Sequence, residues 1–476
     1  MRPTWNVVVG TAFLIFMLLL VTTCHRPNEP GKQLISAHEL RRESGRYPED
    51  KEALNEMLLA QNVPAMRAHA WAILSALTHS GTRTTPDWEG PHWQGKCRIG
   101  LKNSNCPADA PDFSSPSPHI APFLETAVQL KSTLTPKEAQ FQVSSVLFNP
   151  SAITFVRKHR LTKDTAWQQL LREHENSRLH NAPRFARNSL VVKEIFEVVE
   201  PCDLAFPNCF HHVAVWSDKV KQEYPDVRYP PVPAWSKSVL DVNLDTSIAC
   251  DRDRIYPIVS VDDHPPLSDE IPINCFHWIP VSPGPKSAFT PRAGNITNKD
   301  PAWIPRKQNS YLLLVGFHVA SAELPDWVWS TFWWTNQPHN DKKAQDQPVA
   351  IADSIPWKFF SMDTTMSMDT PRDATDHGPN IIFNPYLEGA INNGPVSNCL
   401  YCHRRAVYRQ GTQHAEDDIA KGSPQRCAFT APDTAGCQPL PPDTDFEDAI
   451  RTNFLWSLAI HQDHIANEHF PVFEAK

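Results

Sequence analysis

The chain has 476 residues, 41% of them hydrophobic, with 15 tryptophans and 23 phenylalanines. That composition excludes a disordered polymer, and the length predicts two or three domains with ample material for a core. A net charge of −8 without any Lys/Arg run gives no footprint of a nucleic-acid binder, and no nucleic-acid partner is expected.

Proline sets the style of the fold: 45 prolines stand against 16 glycines. Proline lacks an amide donor and fixes φ, so short elements joined by long ordered loops are predicted. Arg2 is followed by a charge-free stretch from Pro3 to Thr23. At 1.5 Å per helical residue this is enough to span a bilayer, and its apolar heart, Val7 to Val21, also suits a signal peptide. The stretch ends Val21-Thr-Thr-Cys24, similar to a bacterial lipoprotein cleavage box with Thr23 in place of the usual small residue. Residues 1–24 are therefore read as a signal peptide or membrane anchor. The remainder is expected on the periplasmic side of a bacterial inner membrane, anchored there, or as an exported lipoprotein.

Residues 25–185 read as a mainly helical region. Leu54, Met57, Leu58, Met66, Trp71, Leu74 and Leu77 recur near helical spacing within 33–80. A proline-rich stretch follows, and helical signals return at 122–131, 136–145 and 164–173. From 186 to 360 the chain is β-rich and sandwich-like. Ser189 to Val199 is dense in β-branched residues, His212 to Trp216 forms a second strand, and Ser310 to Val319 with Asp326 to Trp334 makes a hairpin-like pair. Residues 361–476 form the last region, with Met362, Met366 and Met368 in a loop, a short helix from Tyr386 to Ile391, and another after Cys402. A final helix opens with the capping pattern Thr444-Asp-Phe-Glu447, its stripe being Phe446, Ile450, Phe454 and Leu458. The fold class is α+β: an irregular proline-rich fold with a helical N-terminal part, a β-rich middle and a small helical C-terminal segment.

There are 11 cysteines. Setting aside Cys24, Cys399 and Cys402 leaves sequence-local pairs: Cys97/Cys106, Cys202/Cys209, Cys250/Cys275 and Cys427/Cys437. An even remainder fits disulfides in an oxidising compartment, although connectivity does not follow from parity.

Cys399-Leu-Tyr-Cys402-His403 is the C-x-x-C-H signature of covalent haem attachment. Two thiols three positions apart lie on one turn and reach both vinyl groups of one porphyrin. The next residue turns its imidazole to the iron from the same side. One covalent haem c, with His403 as proximal iron ligand, is the expected cofactor. Arg404 and Arg405 follow directly and are candidate partners of the haem propionates. A thioredoxin-like dithiol lacks its βαβ surroundings here and leaves His403 unused. A zinc site needs further ligands such as Cys427 and Cys437, whose spacing matches neither ribbon nor finger.

Three further segments accompany the motif: Leu314-Val-Gly-Phe-His-Val319 with Trp327-Val-Trp-Ser-Thr-Phe332, Thr452-Asn-Phe-Leu-Trp-Ser457, and Val146-Leu-Phe-Asn-Pro-Ser-Ala152. Together with the C-x-x-C-H they make the chain resemble large single-haem bacterial cytochrome c family proteins. It differs from them at Trp333-Trp334, where Glu-His is expected. The resemblance implies a haem protein of electron-transfer type and names no substrate.

The second axial position is open to several residues. His318, on an apolar strand, is a candidate distal ligand, and Met366 is the alternative; His461, His464 and His469 are further candidates. Methionine there raises the potential relative to histidine. Trp327, Trp329 and Trp333 share a strand face by two-residue alternation, as core or as electron relay. Three functions compete. The first is an exported single-haem electron carrier that works with a redox partner protein. The second is a haem-dependent oxidoreductase or peroxidase-like enzyme with an open sixth site. The third is a zinc-containing exported binding module.

Overall fold

The computed structural model describes residues 48–78, 86–89, 92–95, 99, 142–173, 181–199, 212–216, 238–260, 269–281, 310–336, 338, 341–368, 381–388, 398–403, 406–409, 449–455 and 458. Within them α1 (Lys51–Leu59) begins where the Asp50 carboxylate accepts the amides of Glu52 and Ala53, satisfying two of the donors that every helix start leaves open. Asn62 serves α2 (Val63–Thr78) similarly, its side-chain oxygen accepting from Ala65 at 3.1 Å. α2 buries Met66, Ala70, Trp71, Ile73, Leu74 and Leu77, as their spacing predicts. α3 (Pro150–Lys158) is capped by Asn149, and α4 (Asp164–Glu173) falls where a helix is expected.

The described chain is α+β, and its sheets are almost wholly antiparallel. β1 (Gln94–Gly95), β2 (Gln142–Phe148), β3 (Leu190–Val199), β9 (Ser310–Ser321), β10 (Val328–Trp334) and β11 (Phe360–Thr365) lie side by side in that order. β8 (Trp278–Val281) pairs with the first part of β9. A smaller sheet holds β4 (His212–Ala214), β5 (Ser238–Asn243) and β6 (Val259–Ser260), with β7 (Ile271–Pro272) parallel to β5. The larger sheet draws strands from both sides of residue 186, so the expected helical and β-rich regions share a core.

The β9–β10 hairpin forms as predicted. Thr331 stands opposite His318 and Phe332 opposite Phe317, while β3 places Lys193 beside His318. Successive strand residues point to opposite faces. One face therefore carries Phe317, Phe332, Glu194 and Met362, and the other His318, Lys193, Thr331 and Trp329. The first face packs on α2 and an aromatic cluster: Phe317 lies 4.7 Å from Phe332 and 5.2 Å from Trp88, and Trp71 lies 5.6 Å from Phe332. On the second face Val191, Ala320 and Trp329 share a separate core with residues of α3 and α4 and with Leu400, Tyr408, Ile450, Leu455 and Leu458.

Several elements differ from expectation. Residues 142–145, read as helix, belong to β2, because pairing with β3 along seven positions outweighs local helix preference. The Met362–Met366 stretch, read as a loop, is strand β11 up to Thr365. Its polar side chains are satisfied there, Asp363 by Lys343 at 2.5 Å and Thr364 by Ser330 at 3.0 Å. Residues 385–388 form a turn, not the start of a helix. Among the described residues the C-terminal part is less helical than predicted. Cys399–His403 is itself a short helix, α5, and it leads into β12 (Val407–Arg409), which pairs with β13 (Ala449–Arg451). Ile450 is thus on a strand and Phe454 in a turn, where a single helical stripe is expected.

Of the predicted disulfides, Cys250–Cys275 forms, with Cα atoms 4.9 Å apart. The other pairs, residues 1–24, Arg404, Arg405, Thr444 to Glu447 and His461, His464 and His469 lie outside the described residues. Among the described residues no helix is long and apolar enough to cross a membrane. Closing the loop between Cys250 and Cys275 restricts the unfolded chain, so a Cys250→Ser, Cys275→Ser variant is expected to lose about 3 kcal/mol. The urea midpoint of that variant, compared with the parent, checks this.

Candidate functional site

The site is assembled on the sheet face that carries His318. Asn398 fixes the start of α5. Its side-chain oxygen accepts the Leu400 amide at 3.1 Å, and its amide group donates to the carbonyls of Ser367 and Met368 at 3.2 and 2.9 Å. Leu400 is buried in the second core and Cys399 packs half-buried against it. Cys402 occupies the same helical turn. The chain then runs to β12, and pairing with β13 brings residues 452–455 against α5. Thr452 secures this arrangement, its amide and hydroxyl both donating to the Ala406 carbonyl, at 2.9 and 2.8 Å.

His403 is the centre of the arrangement. Its Nδ1 lies 2.7 Å from the carbonyl oxygen of Phe454. A carbonyl only accepts, so Nδ1 carries the proton and Nε2 keeps its lone pair. The turn that aims this carbonyl is strained: Asn453 has φ 51° and Phe454 φ 65°, a left-handed conformation that asparagine tolerates and phenylalanine rarely adopts. Asn453 holds the turn by donating to the carbonyls of Ala182 and Pro183. Strain of this kind persists where the surroundings enforce it and often marks a working position.

The indole of Trp329 covers His403, the ring centroids being 4.0 Å apart. Burial pushes the imidazole's pKa down to about 3, outweighing the Phe454 hydrogen bond, and the charges of His318 and Lys193 push the same way. His403 is therefore a neutral imidazole at ordinary pH. The β12–β13 ribbon is itself docked on α4, where Tyr408 stacks on Trp167 at 5.5 Å and donates to Asp164.

His318 lies on the same face, between Lys193 and Thr331. Its Nε2 is 2.9 Å from Glu388 Oε1. Met366 is buried in the first core, whereas Met368 packs against the second with Cys399. Trp333, on the His318 face, has a buried indole N–H without a hydrogen-bond partner among the described residues. The structure thus brings Cys399, His403, Trp329 and His318 to one face and puts Met366 in a different core. Glu388 and the Phe454 carbonyl escape sequence reasoning. The first has no motif around it and the second is a backbone atom, although the Thr452 to Ser457 segment that carries it is singled out by its resemblance.

The donor set fits a covalently held haem. Cys399 and Cys402 share one turn, the neutral imidazole offers Nε2, and its other nitrogen is oriented by a carbonyl as metal-bound histidines usually are. The walls formed by Trp329, Leu400, Leu455 and Leu458 are apolar. Among the described residues no three His, Cys, Asp or Glu side chains cluster to hold a metal ion. No protein-family model, no curated protein and no solved structure matches the chain, so the reading of this site rests on its own residues.

Proposed function

We propose that the chain is an exported c-type cytochrome with one haem c bound through Cys399 and Cys402, and His403 Nε2 as the proximal iron ligand. The observation that carries this is the Nδ1–H of His403 donating to the Phe454 carbonyl at 2.7 Å. That bond selects the tautomer whose free lone pair sits on Nε2. Bound haem supplies a one-electron couple. The rest is the work of the chain: the two thiols tether, His403 orients, Trp329 and the apolar walls keep water from the imidazole, and Arg404 and Arg405 are assigned to the propionates. Covalent tethering prevents loss of the cofactor outside the cytoplasm. The working place is the periplasmic side of a bacterial inner membrane, reached through residues 1–24, and the partner is a redox protein.

A haem-dependent oxidoreductase is the second reading, favoured by one observation. The sheet face that His403 packs on also carries polar groups, His318 with Glu388 and Lys193, where a sealed electron carrier would need only a ligand.

The test is the absorption spectrum of the full chain, matured with the machinery that attaches c-type haem. A Soret band that survives acid–acetone extraction is expected, and it should disappear in a Cys399→Ser, Cys402→Ser variant. Protein purified without covalent haem but with stoichiometric zinc would overturn the proposal in favour of a binding module.

A further inference from the structure

His318 and Glu388 play no part in tethering a haem or in orienting His403, yet they are held with care. Glu388 Oε2 accepts the backbone amide of Asn384. Asn384 is in turn locked: its side-chain amide donates to Thr331 Oγ1 at 2.8 Å and to the Phe332 carbonyl at 2.9 Å, and its oxygen accepts the amides of Tyr386 and Leu387 at 3.0 and 3.2 Å. Asn384 lies this close to the sheet because residue 316 is glycine. A Cβ there would stand 3.1 Å from the Asn384 oxygen and 3.1 Å from Ile195 Cγ2. Tyr386 finishes the clamp, its hydroxyl within 3.3 Å of the carbonyls of Ala214 and Trp334. The carboxylate therefore reaches His318 from a short, braced turn.

The consequence lies in which nitrogen is engaged. Nε2 is the imidazole atom that approaches a haem iron without obstruction, and here it faces Glu388 Oε1 at 2.9 Å. Only Nδ1 remains, crowded by its own Cβ. The two side chains keep 14% and 21% of their surface exposed, so solvent reaches them. Lys193 stands beside His318 on the same face and supplies a positive charge.

We propose that Glu388 is a positioning residue that withholds His318 from the iron, leaving the sixth position to a small anion of the azide, cyanide or hydroperoxide class. This rests on the haem reading above. Lys193 then offsets the charge of the bound anion, and His318 Nδ1, left as an acceptor by the Glu388 bond, takes a hydrogen bond from a protonated ligand such as hydroperoxide.

The experiment uses the haem-loaded full chain in its ferric state, titrated with sodium azide and with cyanide. Wild type is expected to be high-spin and to convert on adding either anion. Glu388→Ala frees His318 and should become low-spin without added ligand. Glu388→Ala with His318→Ala should return to high-spin, a reversal that mere loosening of the fold would not produce. His318→Ala alone should stay high-spin and still convert on adding azide, because the His318 Nδ1 lone pair makes no hydrogen bond to that anion. A low-spin wild type that resists both anions overturns the inference, as does a Glu388→Ala spectrum identical to wild type. If Glu388→Ala does not fold, the wild-type titration decides alone. A wild type with no covalent haem shows no Soret band in any variant and overturns the haem reading, and the inference with it.

Discussion

Replacing Glu194 by glutamine is expected to reduce the fall in stability as pH rises from about 6.5 to about 8, an interval above the one in which His403 acts in the opposite sense. Glu194 lies inside the sheet on the first-core face, fully buried, where Trp88 Nε1 and Ser145 Oγ both donate to it at 2.5 Å. Burial, followed by the charge of nearby Glu89, pushes its pKa up to about 8. In the unfolded chain it ionises near 4.5. Between those values the folded protein keeps a proton that the unfolded chain has released, so stability falls as pH rises through the window. The decline is complete above about 8.

His277 works in the same direction. Burial is the largest influence and would lower its pKa, but the charge and hydrogen bond of Glu89, 2.5 Å away, together with the charge of Glu194, outweigh it and hold the pKa above 6.5. Its contribution is full below 6.5 and is lost as pH rises through the folded value. A tenfold change in proton affinity between the folded and unfolded chain corresponds to about 1.4 kcal/mol. The proton affinity of Glu194 changes by more than that. Glutamine keeps the acceptor for Trp88 and cannot ionise. Urea midpoints measured across that range should therefore be flatter in Glu194→Gln, with a residual slope from His277. Parallel slopes in the two proteins would refute the assignment.

Trp329→Ala is expected to cost about 3–5 kcal/mol, the usual loss for a large aromatic cut from a packed core. The indole donates to the Asp326 carbonyl at 3.1 Å, contacts Trp327 and closes over His403. Its removal should also let water reach the imidazole. In haem-free protein the His403 ring, now held down to about 3 by burial, should titrate closer to the ordinary histidine range, which ring-proton shifts would report. Trp329→Phe should keep most of the stability and leave His403 shielded. If His403 titrates in the alanine variant as it does in the parent, burial by Trp329 is not what sets its state.

Much of the sheet is legible in the sequence because its strands advertise themselves. Ser310 to Val319 and Ser189 to Val199 are dense in β-branched and aliphatic residues, and they form the centre of the larger sheet. β2 and β11 are not legible, since Gln142 to Phe148 and Phe360 to Thr365 become strands through partners distant in sequence. The helical reading of the C-terminus fails for a different reason. Ile450, Phe454 and Leu458 recur four apart and do pack on the second core. Burial alone produces that spacing here, since the backbone between them is a strand followed by a left-handed turn. At the site, Cys399, Cys402 and His403 are readable because they stand at the fixed intervals of a short motif. The atom that orients His403 is a carbonyl, and the group that engages His318 is a single glutamate on a turn; neither leaves a spacing to read.

The β12–β13 pairing also ties how the site is built to how long its connecting chain is. Val407–Arg409 and Ala449–Arg451 meet strand to strand, and the carbonyl facing His403 follows directly after the second of them. Bringing the two strands together closes the chain between them, a cost that grows by about 0.6 kcal/mol for each doubling of the loop's length. The pairing of β12 with β13 has to offset that closure before the Phe454 carbonyl can face His403.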